Sequence, residues 1–332
     1  MKTFFTLVIL CCFFTVKSQE IPKNSTVRGI NHVSFSVRNL NRSVEFYTSA
    51  MALTEINRYR IDTKLSVEKK SGIQHISRNI AVLKGPNTYF ELIEFDGSSE
   101  MAASTMPVPG PGVTHVCYQI PNSKPIYDKI KTLGAVIVSR GTKPVDVGGY
   151  GIQYAYAKDA DGLMFEMEHF DKPKFTEDTW VGHVSIVTPD IDRLVKFYTE
   201  LLGTEPYNRR DIKNNPKLDD IANIDGLKFR VAWFKTGNMI LEMMQFESPI
   251  TPPVKELQSF SQIGYHQIDF EVSDIKQEYN RLKNAVDFLS KPVSSKESST
   301  VLARDPDGNL ISLTEYKSNK LMSLDNLKRL EW

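Results

Sequence analysis

The sequence has few cysteines, almost no net charge and no long apolar segment. Among its 332 residues are three cysteines, and two of them, Cys11 and Cys12, lie in an apolar run near the start. If that run is removed, only Cys117 remains, which excludes an intramolecular disulfide. The formal net charge is +1, and no basic tract offers an electrostatic surface for nucleic acid, so no nucleic-acid partner is expected.

The apolar run from Phe4 to Val16 is too short to cross a bilayer, which takes about 20 residues. Lys2 precedes it, and Val16-Lys17-Ser18 approximates a small-residue cleavage site. This pattern favours a removable secretory signal over residues 1–18, rather than an uncleaved anchor or a buried helix. The mature chain is therefore predicted to be secreted or periplasmic, without membrane association.

The sequence contains an internal repeat. HVSFSVRNLNRSVEFY, from His32, aligns with HVSIVTPDIDRLVKFY, from His183, and both predict a strand, a turn and an amphipathic helix. Two weaker copies begin at Val113 and at His266, and each ends in an Asp-Gly turn, DADG or DPDG, followed by a last strand. The spacing between the copies is long, short, long, which predicts two domains of two βαβββ modules each.

This arrangement resembles the vicinal oxygen chelate superfamily, which includes glyoxalase I, extradiol dioxygenases, methylmalonyl-CoA epimerase and bleomycin- and fosfomycin-resistance proteins. HVSFSVRNLNRSVEFY, HVSIVTPDIDRLVKFYTELLG and DPDGNL carry the resemblance. It implies an α+β fold in which four βαβββ modules pair into two cup-shaped mixed β-sheets. The predicted domains are residues 28–171 and 178–317, with the boundary near Asp171 to Phe175.

Strand alternation restricts which side chains can meet inside a cup. His32 shares a face with Ser34 and Ser36, and His115 shares one with Cys117 and Gln119. Glu91 and Glu166 stand in the apolar last strands of the first two modules. A charged side chain in a buried strand is costly unless it is paired or bound to a metal.

The resemblance places His32, Glu91, His115 and Glu166 on the metal positions of glyoxalase-like members. One divalent ion, of zinc, manganese, iron, cobalt or nickel, is therefore predicted in the N-terminal domain. Glu166, or Glu91 on the opposing module, would then act as the general base. Cys117 is interpreted as a small core residue rather than as a nucleophile.

The C-terminal domain departs from this pattern. His183 and Glu242 match His32 and Glu91, but Ser312 occupies the position that corresponds to Glu166. Alignment on the turn puts Gln267, and not His266, at the fourth histidine position, and a one-residue slip reverses the face of a strand residue. The C-terminal domain is therefore predicted to have a degenerate site.

The leading functional hypothesis is an exported, metal-dependent glyoxalase-like lyase or isomerase that acts on a small oxygen-chelating substrate. An Fe²⁺ extradiol-type dioxygenase and a non-catalytic small-molecule binding or resistance protein are the alternatives. The chain is expected to be a monomer or a homodimer. Residues 318–332 have leucines at helical spacing, which predicts a C-terminal helix that packs on a domain or forms a dimer contact.

Overall fold

Four βαβββ modules build two mixed sheets in a computed structural model of the chain. The structure describes residues 24–63, 66–67, 74–257, 259, 261–317 and 320–329. The predicted signal at residues 1–18 lies outside these ranges. No helix within them is both long and apolar enough to cross a membrane.

The elements follow the repeat seen in the sequence. Those of modules 1 and 2 are β1 (Val27–Ser36), α1 (Leu40–Ala50), β2 (Thr54–Ile61), β3 (Ser66–Val67), β4 (Gln74–His75), β5 (Arg78–Lys84), β6 (Tyr89–Phe95), β7 (Gly112–Pro121), α2 (Ile126–Thr132), β8 (Val136–Ile137), β9 (Val145–Asp146), β10 (Ile152–Lys158) and β11 (Met164–Phe170). Those of modules 3 and 4 are β12 (Trp180–Val187), α3 (Ile191–Leu202), β13 (Asn208–Lys213), α4 (Pro216–Ala222), β14 (Lys228–Lys235), β15 (Ile240–Ser248), β16 (Gly264–Val272), α5 (Ile275–Leu282), β17 (Asp287–Phe288), β18 (Val293–Ser294), β19 (Ser298–Arg304) and β20 (Leu310–Tyr316).

Each sheet takes one module from each half of the chain. Module 1 joins module 4 in a nine-stranded sheet with the order β17-β19-β20-β16-β1-β6-β5-β2, and β18 pairs with β19. Module 2 joins module 3 in the second sheet, with the order β13-β14-β15-β12-β7-β11-β10-β8, and β9 pairs with β10. The concave faces of these sheets are called the 1/4 cup and the 2/3 cup.

The prediction that neighbouring modules share a cup is therefore wrong. At the centre of each sheet an antiparallel pair joins the modules, β1 with β16 and β7 with β12. The internal repeat identifies equivalent modules but carries no information about which free strand edges meet. The long connections over residues 96–111 and 249–263 allow modules 2 and 4 to lie in a different sheet from modules 1 and 3.

Modules that are adjacent in sequence contact each other through a helix and a turn. Tyr47 on α1 donates a hydrogen bond to Asp159 (2.9 Å), and Tyr198 on α3 donates one to Asp305 (3.2 Å). Both aspartates open the Asp-Gly turns noted in the sequence. Since each tyrosine is fully buried, these contacts fix helices of one sheet against turns of the other.

Capping residues begin α1 and α3. Asn39 caps α1 by accepting a hydrogen bond from the amide of Arg42, and Asp190 caps α3 in the same way. Gly203 ends α3 in a left-handed conformation, with φ of 69°, which glycine adopts without steric cost.

The C-terminal segment does not form the predicted amphipathic helix in its described part, where one 3-10 turn spans Leu324–Asn326. Its backbone carbonyls accept hydrogen bonds from distant side chains instead of from a helix. Tyr89 donates hydrogen bonds to the carbonyls of Leu321 and Ser323, and Asn31 donates one to the carbonyl of Met322. These tertiary bonds hold the segment against the 1/4 cup in a chain of turns, and they outweigh its helical leucine spacing.

Candidate metal centre

Four potential ligands meet at the centre of the 2/3 sheet. His115 lies on β7 and His183 lies on β12, the two antiparallel central strands. Glu166 on β11 and Glu242 on β15 come from the strands that flank them in parallel. The register places all four side chains on the concave face, because strand residues alternate between faces.

The distances show that the four side chains converge. The Nε2 atoms of His115 and His183 lie 3.2 Å apart. Glu166 Oε2 lies 3.0 Å from the Nε2 atom of His183 and 3.5 Å from that of His115. Glu242 Oε2 lies 3.5 Å and 3.8 Å from the same two atoms. Two imidazole nitrogens and two carboxylate oxygens therefore face one point.

Burial makes this cluster electrostatically demanding. All four residues are at most 7% exposed, and a buried carboxylate is costly unless it is compensated. Burial would raise the pKa of Glu166, but hydrogen bonds and charge from His115 and His183 lower it to about 2. Burial would lower the pKa of His183, but Glu242 and Glu166 raise it to about 9. The two histidines and two carboxylates thus favour an additional positive charge among them.

Neighbouring side chains orient the cluster from outside. Thr114 Oγ1 lies 3.1 Å from the Nδ1 atom of His115. Trp233 donates a hydrogen bond from Nε1 to Glu242 Oε1 at 2.8 Å, which leaves Glu242 Oε2 directed at the histidines. Contacts of this kind fix the orientation of ligands in metal proteins.

The cluster fits a divalent metal ion. The ligand atoms of His115, His183 and Glu242 all lie within 4.8 Å of one another, and so do those of a group formed by Cys117, Glu166, Glu168 and His183. Two imidazoles and two carboxylates suit zinc, manganese, iron, cobalt and nickel. Metal binding would displace any proton held by these side chains, because ligands bind metal in their deprotonated forms. His115, Glu166, His183 and Glu242 would hold it.

The structure separates the four residues that the sequence grouped together. His32 and Glu91 lie in the 1/4 cup, where His32 Nε2 is 3.6 Å from Glu91 Oε2. His115 and Glu166 lie in the 2/3 cup. The physical reason is the strand pairing, since β1 meets β16 and not β7.

The sequence places His183 and Glu242 at ligand positions but predicts a degenerate site around them. It also places Gln267 and Ser312 at the ligand positions of module 4. In the structure Gln267 donates a hydrogen bond at 2.6 Å to Ser312 on the neighbouring strand β20 of the 1/4 cup. The signal for the complete set was present, because modules 2 and 3 each carry one histidine and one glutamate. The strand pairing was the missing information.

His266 points away from the 1/4 cup, as the sequence predicts. It forms a bulge, since Gln267 pairs with Ser34 while Tyr265 pairs with Phe35. The side chain is buried, and its Nε2 atom lies 2.7 Å from Ser36 Oγ. It lines a different cavity from the one that contains His32 and Gln267.

His266 is expected to make the fold sensitive to acid. Burial lowers its pKa from 6.5 to about 4, so its contribution is complete above about pH 6.5 and is lost as the pH falls towards 4. At pH 5 the loss is about 2 kcal/mol of unfolding free energy. Urea unfolding of the wild type and His266→Gln at pH 7.5 and pH 5 checks this. The difference between the two proteins should shrink at the lower pH, and a constant difference would contradict the assignment.

Comparisons with known proteins agree with the fold and with the repeat. The sequence model of the Glyoxalase/Bleomycin resistance protein/Dioxygenase superfamily matches residues 29–167 and 180–313. A lactoylglutathione lyase of Arabidopsis thaliana is 27% identical over 186 residues, which cover 55% of this chain and 57% of the relative. An ethylmalonyl-CoA/methylmalonyl-CoA epimerase of Cereibacter sphaeroides is 29% identical over 84 residues, 25% of this chain and 63% of the relative. This chain therefore spans less than two thirds of either relative's length.

Solved structures show the same architecture. Glyoxalase I from Zea mays superimposes with a TM-score of 0.60 at 19% identity, covering 86% of this chain and 92% of the maize chain. A putative dioxygenase from Bacillus subtilis gives a TM-score of 0.54 at 12% identity, covering 88% and 86%. Since the family match extends over most of both halves, the chain belongs to the glyoxalase/bleomycin resistance protein/dioxygenase superfamily, with two tandem copies of its domain.

Proposed function

We propose that the protein is a divalent-metal-dependent lyase or isomerase of the glyoxalase type, acting in the 2/3 cup on a small substrate with two neighbouring oxygens. The convergence of His115, His183, Glu166 and Glu242 carries the proposal. The names of the lyase and the epimerase among its relatives support this reaction class. The proposal is tested by measuring bound divalent metal and metal-dependent exchange of a carbon-bound proton with solvent deuterium.

Proton transfer between adjacent carbons needs a base and a means of stabilising negative charge on oxygen. A bound divalent ion supplies that stabilisation as a Lewis acid. The two carboxylates of the cluster differ in the hydrogen bonds that restrain them. Trp233 holds one oxygen of Glu242, whereas no described hydrogen bond other than those with the two histidines restrains Glu166. Glu166 is therefore the better candidate for the base that removes a proton and returns it to the neighbouring carbon.

A third carboxylic acid lies on the same face of β11. Burial and the nearby charge of Glu166 raise the pKa of Glu168 to about 7, and Gln119 donates a hydrogen bond to it at 2.8 Å. Glu168 faces the same side of the sheet as Glu166 and would orient a substrate oxygen by a hydrogen bond.

The cup also contains an apolar surface. Trp233, Met244 and Phe246 line up along β14 and β15 on the face of Glu242, and residues of α4 such as Ile221 pack with them. We propose that the part of the substrate that does not react is apolar.

We also propose that the protein is exported after removal of residues 1–18 and acts as a monomer or a homodimer. Export would separate it from the thioesters of glutathione and coenzyme A, which are mainly cytosolic.

An extradiol-type dioxygenase would use two histidines and one carboxylate and would leave positions open for substrate and oxygen. Here Glu166 and Glu242 both point at the histidines, which favours the lyase or isomerase. Iron content together with oxygen uptake in the presence of catechols separates the two chemistries. A binding protein would instead retain its ligand without changing it.

Replacing Trp233 with phenylalanine is expected to weaken metal binding about 10- to 100-fold, the usual effect of removing a hydrogen bond to a ligand. The indole N–H that fixes Glu242 is lost while an aromatic ring remains. Trp180→Phe is a matched control, because Trp180 Nε1 has no hydrogen-bond partner among the described residues. Competition with a chelator measures both affinities, and equal affinities for the two variants would contradict the role of Trp233.

A further inference from the structure

The 1/4 cup encloses a cavity of about 730 Å³ that the proposed reaction does not use. Module 1 contributes His32 and Glu91 to its wall, and module 4 contributes Gln267 and Ser312. The C-terminal segment closes one side with residues 320–322, which are held there by hydrogen bonds from Tyr89 and Asn31. The volume is in the usual range for small-molecule sites, about 300–1,000 Å³.

This cavity lacks the ligand set of the 2/3 cup. In module 2 Glu166 pairs with Cys117 on the neighbouring strand, and in module 4 Ser312 pairs with Asp269 in the same way. Ser312 therefore occupies the position of Glu166. The amide nitrogen of Gln267 already donates to Ser312 at 2.6 Å. Two of the four metal positions are therefore filled by a neutral amide and a hydroxyl that bond to each other, which favours a ligand other than a tightly held metal.

Several neutral polar groups face the cavity without a partner among the described residues. They are the side-chain nitrogen of Asn57, the oxygen of Gln267 and the hydroxyl of Tyr316. Beneath them Asp269 is fully buried, and its Oδ2 atom, which accepts no hydrogen bond, lies 3.6 Å from the Nδ1 atom of His32. Unpaired donors and acceptors of both kinds are matched best by groups that donate and accept at once, as hydroxyls do.

The charges of the wall disfavour an anionic ligand. Glu91 and Asp269 both border the cavity, and a phosphate or carboxylate would be repelled by them. Two cations and a third carboxylate also line it: Lys320 is paired with Glu297 at 3.0 Å, and Arg78 donates a hydrogen bond to the carbonyl of Ile76, so the carboxylates of the wall outnumber its cations. The rings of Tyr59 and Tyr316 offer apolar surface beside these polar groups, as the carbon skeleton of a sugar or polyol requires.

We propose that the 1/4 cup binds a small, neutral, hydroxyl-rich molecule of the polyol or monosaccharide class, without a metal. The two cups of the chain then have different tasks, proton transfer in the 2/3 cup and recognition of hydroxyl groups in the 1/4 cup. The inference stands apart from the proposed reaction, since it rests on the polar lining of this cavity alone.

The test is titration of the full chain with D-glucose, myo-inositol and glycerol, followed by saturation-transfer NMR. We expect saturable binding of at least one of the three probes. Tyr316→Phe and Asn57→Leu should each weaken it about three- to tenfold, as the loss of one hydrogen bond predicts. Tyr279→Phe is a matched control, because Tyr279 packs against Phe288 and does not line the cavity.

The outcomes are distinct. Retained binding in Glu166→Gln and Tyr279→Phe, with weaker binding in the two cavity variants, supports the proposal. Absence of saturable binding by all three probes overturns it. Binding that is lost in Glu166→Gln would place the ligand in the other cup, and binding that is unchanged in both cavity variants would also overturn it. None of these results alters the metal content expected for the 2/3 cup.

Discussion

The purified chain is expected to hold one divalent metal ion, and His183→Ala is expected to lower the affinity for it by about 100-fold or more. Removal of a residue that orients a ligand lowers metal affinity by up to about 100-fold, and removal of the ligand itself should lower it at least as much. His32→Ala is expected to leave the affinity unchanged, because His32 lies in the 1/4 cup with Glu91 and not with His115. Elemental analysis after dialysis, followed by titration against a chelator, measures both quantities.

His32 and His183 occupy equivalent positions, so His32→Ala is a matched control for His183→Ala. Each is the first histidine of its repeat, each lies on a central strand, and their exposed fractions are 6% and 7%. A general effect of losing a buried imidazole would therefore appear in both variants. If His32→Ala loses the metal while His183→Ala retains it, the metal belongs to the 1/4 cup and the assignment is wrong.

Glu166→Gln is expected to slow proton transfer about 10²- to 10⁴-fold, the range for loss of a general base. The amide keeps the size of the side chain and one oxygen that can face a metal, but it cannot accept the substrate proton. The measurement is incorporation of solvent deuterium next to the carbonyl of small α-hydroxyketones and of thiol adducts of methylglyoxal, followed by NMR. Metal content is determined on the same samples, so that loss of the ion and loss of the base are told apart.

Glu91→Gln is the matched control for that experiment. Glu91 occupies the same position in module 1 as Glu242 does in module 3, and the sequence suggested it as an alternative base. It is in the 1/4 cup, where it accepts a hydrogen bond from Ser34, so its replacement should leave the exchange rate unaltered. Equal losses in the two variants would show that the base has not been identified.

Much of this architecture could be predicted from the spacing of apolar residues, because side chains on one face recur every two residues in a strand and about every 3.6 residues in a helix. The two-residue period placed His115 and Glu166 inside a cup, and alignment on the turn put Gln267 rather than His266 at the ligand position of module 4; the structure agrees with both placements, although the cup that contains Gln267 is shared with module 1 and not with module 3. The period could not reveal that His183 completes the set with His115, since the free edges of β1, β7, β12 and β16 are similar in sequence. The choice between partners depends on how the long connections run and on contacts such as Tyr47 with Asp159.

The C-terminal segment shows the same limit on a smaller scale. Leucines at helical spacing predicted a helix, but spacing describes only how a segment could bury an apolar face. Leu324 is buried while Leu321 is 52% exposed. The segment instead satisfies its carbonyls with Tyr89 and Asn31, which are more than 200 residues away in sequence and are not detectable from the leucine pattern.

The exchange of modules between the sheets also sets an order of assembly. The central contact of the 2/3 cup, between His115 and His183, closes a loop of 68 residues, whereas Ser36 and His266, on the two central strands of the other sheet, are 230 residues apart. Closing the longer loop costs about 1 kcal/mol more in chain entropy, and it must await almost the whole chain. Pulsed hydrogen exchange should therefore detect protection of β7 and β12 before that of β1 and β16. In a chain emerging from the ribosome, every strand of the 2/3 sheet has therefore been made before β16, the strand that closes the 1/4 sheet.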